Sequence, residues 1–184
     1  CIRRTPGGCR CRHRENSCCE PICDRSTIVT ADIGREGVYA AELAAFGGTL
    51  ADCEVGFDEL LWLRNAICAS VWWPAGDIDV KQARSDVRSS TTREGDDAQA
   101  RIRIAAPQCT PLTLAHEVAH VLAGVDAGHG PRYRRAELDL VFAMFGSTEM
   151  QWLLDAFEAM NLEVADRNWP SPTEGPLQRL IDLA

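Results

Sequence analysis

Lysine is almost missing from this chain: Lys81 is the only one among 19 basic residues. No run of 18 apolar residues occurs, so no segment reads as a membrane-spanning helix, and no charged start followed by an apolar stretch marks a secretory leader. Together these absences make the cytoplasm the default expectation. No internal repeat or low-complexity tract is present, which excludes a repeat architecture. A basic surplus is missing too. With 27 acidic against 19 basic residues the formal charge is -8, and broad nucleic-acid affinity needs clustered Lys and Arg. Histidine is scarce, at four in 184 residues, so where those four fall carries information.

What is present is unevenly distributed. Residues 1–26 hold six Arg against three acids, leaving 13 basic and 24 acidic residues for the rest of the chain. An anionic partner, nucleic acid included, would therefore meet this arm. The same segment carries Cys1, Cys9, Cys11, Cys18, Cys19 and Cys23 among Arg, Gly and Pro, with almost no aliphatic residues, so it cannot build an apolar core. Cys9, Cys11, His13, Cys18, Cys19 and Cys23 are candidate ligands for a second, structural zinc. Paired C-x2-C knuckles are lacking, however, and a disordered or disulfide-linked arm fits the composition equally. The remaining chain, 46% hydrophobic overall, is long enough for one globular domain over residues 27–163.

Within that domain VYAAELAAF has helical spacing, with Val38, Ala41, Leu43 and Ala45 apolar, and Gly47-Gly48 ends it. A second helix is expected from about Phe57 to Trp72, with Leu60, Leu61, Leu63, Ile67 and Val71 apolar and Pro74 beyond it. Both read as ordinary core helices. Cys53, Cys68 and Cys109 read as buried thiols. Strands are expected between Ile78 and Ala106: Ile78–Val80, weakly Asp86–Ser89, and the alternating Ala100–Ile104, with Ser89–Asp97 as a polar loop. Helices resume at Pro111, at Pro131 and near Glu149, where Thr148 and Gln151 suggest a capping box. Residues 164–184 read as a Pro-rich linker and a short amphipathic tail from Leu177 to Leu183.

Chemistry concentrates in TPLTLAHEVAHVLAGVDAGHGPRY, residues 110–133. Thr110 caps a helix beginning at Pro111, and Gly124 ends it. Thr113, His116, Glu117 and His120 form one polar stripe on an otherwise apolar cylinder. Such a helix is buried, so the stripe must face an internal cleft and its polar groups need partners. Histidines four residues apart bring two imidazoles to one ion, while Glu117 is rotated away from ligation yet stays close enough to act as general base; this is the H-E-x-x-H pattern of zinc hydrolases. His129 is the best third ligand, because Gly124 and Gly128 let the chain reverse and Pro131 starts a helix directly behind it. Asp126 is a poorer candidate, at the third-ligand position of a related pattern whose required Gly is here Ala123. Glu137 is placed to orient a histidine, with a plain salt bridge as the alternative. The strand Ala100–Ile104 is expected at the cleft edge, where an extended peptide would add to it.

At HEVAH, eight residues, then HGPRY, the sequence resembles the SprT/Spartan type of zinc metalloprotease, whose pattern is H-E-x-x-H, a variable spacer and H-G-P-x-aromatic. Over about residues 36–162, through VYAAELAAFGG, the Trp72-Trp73 pair and the HEVAH and AGHGP segments, it is similar to a family of small metallohydrolases of actinobacteria and their phages. The resemblance implies an α+β minimal zincin-like domain, with a small antiparallel or mixed sheet packed on helices. It also implies one catalytic Zn2+ on His116, His120 and His129, with Glu117 catalytic. A phage-encoded member would work in the host cytoplasm or the virion. Arg132 stands where the SprT pattern often has Glu, and Tyr133 replaces Phe, which leaves the substrate side of the site open but not the ligands; Tyr133 and Glu137 are candidates for a place behind the ligands or on the substrate side. Spartan-like enzymes cleave proteins crosslinked to DNA; the acidic body speaks against that role unless residues 1–26 hold the nucleic acid.

Two functions follow as expectations. One is a zinc metallopeptidase or related metallohydrolase acting on a peptide or protein; the other is a non-catalytic, metal-stabilised binding or virion scaffold. The intact Glu117 favours the enzyme, since a scaffold has no need of a base beside its metal.

Overall fold

The computed structural model describes residues 32, 34–93 and 99–172. The cysteine-rich arm with its candidate zinc ligands, and the tail from Leu177 to Leu183, lie outside the described residues. Within them the chain is α+β. Helix α1 (Arg35–Phe46) and α2 (Phe57–Ala69) precede three strands, β1 (Ile78–Ala83), β2 (Ser90–Thr92) and β3 (Ala100–Ala105), and then come α3 (Pro111–Ala123), α4 (Pro131–Met144) and α5 (Ser147–Ala159). The sheet is mixed, in the order β1-β3-β2. β3 runs parallel to β1, with Ile102 opposite Val80, and antiparallel to β2, with Ile102 opposite Thr91.

Local chemistry accounts for most element boundaries. Thr110 Oγ1 accepts the Thr113 N–H at 3.1 Å, Pro111 opens α3, and Gly124 at φ 95° ends it. At α2 the Glu59 carboxylate reaches back 2.8 Å to the Gly56 N–H, one half of a capping box. Three boundaries differ from the sequence reading. α2 stops at Ala69, and Val71 beyond it is 86% exposed. α5 starts at Ser147 behind Gly146 with no side-chain cap, so Thr148 and Gln151 form no capping box, and Gln151 instead donates to Asp155. The weak candidate Asp86–Ser89 is a turn, and the second strand forms just after it, inside the expected polar loop. Propensity misplaces this strand because β2 is held by pairing with β3 and by the Thr91 side chain rather than by apolar alternation.

β3 is also not an edge. It is the central strand, paired on both sides, so the expectation that Ala100–Ile104 borders the cleft is corrected; β2 holds that position. The clean alternation of β3 reflects a strand whose inner residues Ile102 and Ile104 are fully buried while Arg101 and Arg103 face outward. Alternation reports one buried face and says nothing of lateral neighbours.

α3 packs against α2, β2, β3 and α4, and 11 of its 13 residues are buried, so its polar stripe cannot face bulk water. α1 packs on α5, and α5 on α4. Behind α5 the segment from Leu162 to Pro172 is tied down, although residues 164–176 read as a linker. The Ala165 N–H donates to Pro131 O, Arg135 donates to Ala165 O, and Arg167 and Trp169 converge on the buried Asp139 carboxylate at 2.6–2.8 Å. A buried carboxylate needs such donors, and they extend the packed domain past residue 163.

Candidate metal centre

α3 carries His116, Glu117 and His120 on adjacent turns, and the chain returns through a 3-10 turn, Val125–Ala127, to present His129 just before α4. His116, His120 and His129 offer ligand nitrogens that lie within 4.8 Å of one another. Asp126 is exposed and is not part of this group. Gly128, at φ 56°, makes the last bend in a conformation that disfavours side chains. Gly34 lets the start of α1 approach so closely that a Cβ there would sit 2.3 Å from the His129 carbonyl oxygen. That carbonyl also accepts a hydrogen bond from buried Arg134 at 2.7 Å, so the His129 backbone is clamped.

The hydrogen bonds determine which nitrogens face the centre. His116 Nδ1 lies 2.6 Å from Glu42 Oε1, and His129 Nδ1 bonds Asp32 Oδ2, while the His129 backbone N–H donates to Asp32 Oδ1 at 3.0 Å. A carboxylate only accepts, so both Nδ1 atoms carry hydrogen and both Nε2 atoms present a lone pair. Those two Nε2 atoms are 3.2 Å apart. Two lone pairs at that distance repel unless a cation lies between them. Two imidazoles on one tetrahedral zinc, at about 2.0–2.1 Å each, would stand about 3.3 Å apart, so the donor set fits the ion.

Electrostatics agree with this arrangement. Burial pushes the His116 imidazolium down, but the charge and hydrogen bond of Glu42 outweigh it, and the net direction is up. His120 is driven down to about 3 by burial and by the other two imidazoles. Burial also lowers His129 despite Asp32. Burial works against the Asp32 carboxylate, yet its bonds to His129 hold it below its usual range. One cation, a proton or a metal, thus belongs to the trio, and the metal is expected to displace the proton.

A second group, Glu42, His116 and Glu137, could also hold an ion, but it uses the same His116 from its Nδ1 side. Glu137 is fully buried and neither of its oxygens has a donor among the described residues. Burial and the adjacent Glu42 carboxylate raise its pKa well above the usual range, and its hydrogen bond depresses Glu42. A proton kept on Glu137 removes the second buried charge beside Glu42 and turns Glu137 into a donor next to the carboxylate that bonds His116. Glu137 therefore braces a ligand's partner. Glu137→Gln keeps that donor without titrating. Below the ordinary glutamate range both folded and unfolded Glu137 are protonated; as pH rises above it the unfolded chain releases a proton that the folded chain keeps, so the wild type loses stability by up to about 1.4 kcal/mol per pH unit. Denaturant melts of the metal-free proteins from pH 5 to 8 are expected to show the variant gaining on the wild type as pH rises; parallel curves would exclude the retained proton.

Of its two expected places, Tyr133 takes the one behind the histidines. It is fully buried beneath the three imidazoles, 4.4 Å from His120 and 4.7 Å from His129 between ring centroids, and donates to His116 O at 3.3 Å. Burial keeps it a neutral phenol. The exposed Tyr39 of α1 stands on the open side instead, 5.3 Å from His116 and 5.5 Å from His129.

Glu117 is buried beside the trio but outside it. Thr91 Oγ1, from β2, donates to its Oε2 at 2.6 Å. Burial raises the Glu117 pKa, and Thr91 and His116 counter only part of that. His116 and Glu117 line a cleft of about 480 Å³ together with Arg35, Tyr39 and Leu43 of α1 and with Arg88 and Ser89 just before β2. α1 is thus a wall of the site and no ordinary core helix; Leu43, read as a core position, is 71% exposed on the cleft. Arg35, Tyr39 and Glu42 follow helical spacing, a polar stripe that was visible in the sequence. Thr91, Asp32 and Arg134 had no comparable signal.

No family model, curated protein or solved structure matches the chain. The functional reading therefore stands on this geometry and on the motif.

Proposed function

We propose that the protein is a zinc-dependent hydrolase that cleaves peptide bonds, with His116, His120 and His129 holding the metal and Glu117 as general base. The observation that carries the reading is the pair of Nε2 lone pairs 3.2 Å apart, each fixed by a carboxylate behind it, with the Glu117 carboxylate beside them. When bound, zinc supplies Lewis acidity toward a carbonyl oxygen and toward water. The chain's own residues do the rest. Thr91 holds Glu117 Oε2, which leaves Oε1 without a protein partner among the described residues and available to accept from a water in the cleft. Glu117 takes the proton of that water as its oxygen bonds to the carbonyl carbon, then gives the proton to the amine nitrogen as the C–N bond breaks. A pKa raised by burial suits both steps, since the group must accept and release one proton near neutral pH.

The peptide class is supported by β2. This short strand has no second strand partner among the described residues; Ser89, just before it, lines the cleft, and its Thr91 bonds Glu117 on the cleft wall. An extended substrate would pair along it. Purified protein is expected to contain one zinc for the histidine trio, to cleave casein, to stop on chelation and to recover with added zinc. Cleavage that persists after the metal is stripped overturns the proposal. Bound zinc with no turnover would favour the metal-stabilised scaffold.

A further inference from the structure

The cleft lining holds two guanidinium groups, of Arg35 and Arg88, that make no salt bridge among the described residues. Of the other described arginines, Arg64, Arg84, Arg101 and Arg167 each lie within 3.2 Å of an aspartate oxygen, Arg134 and Arg135 donate to backbone carbonyls, and Arg93, Arg103 and Arg132 have no carboxylate partner either. Arg35 and Arg88, both on the cleft lining, have no such partner among the described residues. Arg35 is nevertheless oriented: its Nε donates to the Tyr39 hydroxyl at 3.3 Å and its guanidinium lies 5.4 Å from that ring centroid. Both Nη groups remain for a ligand, in the fork geometry that matches a carboxylate. Its charge already acts on His116 and Glu117, which places it close to where chemistry would occur.

The cleft's acids are mostly engaged. Glu42 is bonded to His116, and Glu117 to Thr91; only the exposed Asp52 adds an unengaged carboxylate to the lining. Leu43 and Leu112 add apolar surface to the lining, and Ser89, Gln108 and Thr113 polar surface. By formal charge the two arginines face three carboxylates, Glu42, Glu117 and Asp52, so what Arg35 and Arg88 offer a ligand is directed, charged donors rather than an excess of positive charge.

We propose that Arg35 and Arg88 are specificity-determining residues that select peptides carrying an aspartate or glutamate side chain within the cleft. This rests on the reading above that a substrate chain lies there. Glu117→Gln protein loaded with zinc binds without turnover, so affinity is read directly, by anisotropy of labelled peptide pairs that differ only by Glu against Gln. The Glu peptide is expected to bind about tenfold tighter or more at low salt, with the ratio shrinking as ionic strength rises. Arg35→Gln/Arg88→Gln added to that background is expected to bring the ratio to about one with zinc content unchanged. Arg88 is exposed, so Arg88→Gln alone tests the same point should the double variant fold poorly. Equal binding of both peptides, binding of neither, or a preference that survives loss of the arginines overturns the inference. Turnover by the wild type on the same peptides separates the two readings. Cleavage without acidic preference sinks the specificity alone, and acid-selective binding without any cleavage sinks the hydrolase reading alone.

Discussion

Glu117→Gln is expected to keep its zinc and its fold while turnover falls by about a thousandfold or more, the range a positioned general base contributes. The side chain is 5% exposed and makes one strong contact, to Thr91. Glutamine has the same length and can keep that contact, so no cavity opens and no buried charge is stranded. What it cannot do is take a proton from water. Metal content and thermal stability should match the wild type, with stability at neutral pH unchanged or slightly higher, because burial raises the Glu117 pKa and ionising it costs folding energy. Thr91→Val is the graded companion. It frees Oε2 and lets the carboxylate swing, so a smaller loss of turnover is expected with metal retained. If Glu117→Gln kept its turnover, another base would be at work and the mechanism would fall. If it lost zinc as well, Glu117 would be a ligand.

His129→Ala is expected to lose zinc, with affinity falling by more than the roughly 10–100-fold typical of removing an outer partner of a ligand. His129 reaches the centre from outside α3, so its loss leaves two imidazoles on one helix and a solvent-filled third position. Asp32→Asn is the calibrating variant. It leaves the imidazole in place but exchanges a carboxylate acceptor for an amide, and its effect should lie within that outer-partner range. The order His129→Ala, then Asp32→Asn, then an unchanged Asp126→Ala follows from the geometry. Zinc should raise the melting temperature of the wild type, since a ligand at about a hundred times its Kd adds about 2.7 kcal/mol, and leave that of His129→Ala unmoved at the same concentration. Wild-type affinity in His129→Ala and loss in Asp126→Ala would transfer the third position to Asp126.

The contrast between α3 and its surroundings shows what kind of information each level holds. Everything about α3 is local: Thr110 caps at i+3, Pro111 fits the first turn, and His116, Glu117 and His120 share a face because a helix repeats every 3.6 residues. His129 was legible for the same reason, through the glycines and proline on either side of it. α1 was half legible. The helix was evident from its apolar spacing and read as an ordinary core helix, but the place of Arg35, Tyr39 and Glu42 beside the histidines emerged only once α3 was set against it.

The sequence by itself therefore determined the helices, the histidine trio that could hold a metal and the glutamate beside it, because each depends on residues a few positions apart. Only the tertiary structure decided that β3 is central and β2 the edge, that Tyr133 is the floor of the site and Tyr39 its open side, and that Glu42 and Asp32 fix the two imidazoles from 74 and 97 residues away. Thr91 belongs with them, 26 residues from the glutamate it holds. The physical reason is that a carboxylate or a hydroxyl finds a buried partner only when separate elements pack together. Helical and strand periodicity says which face of an element is buried, and it carries no record of what the face will meet.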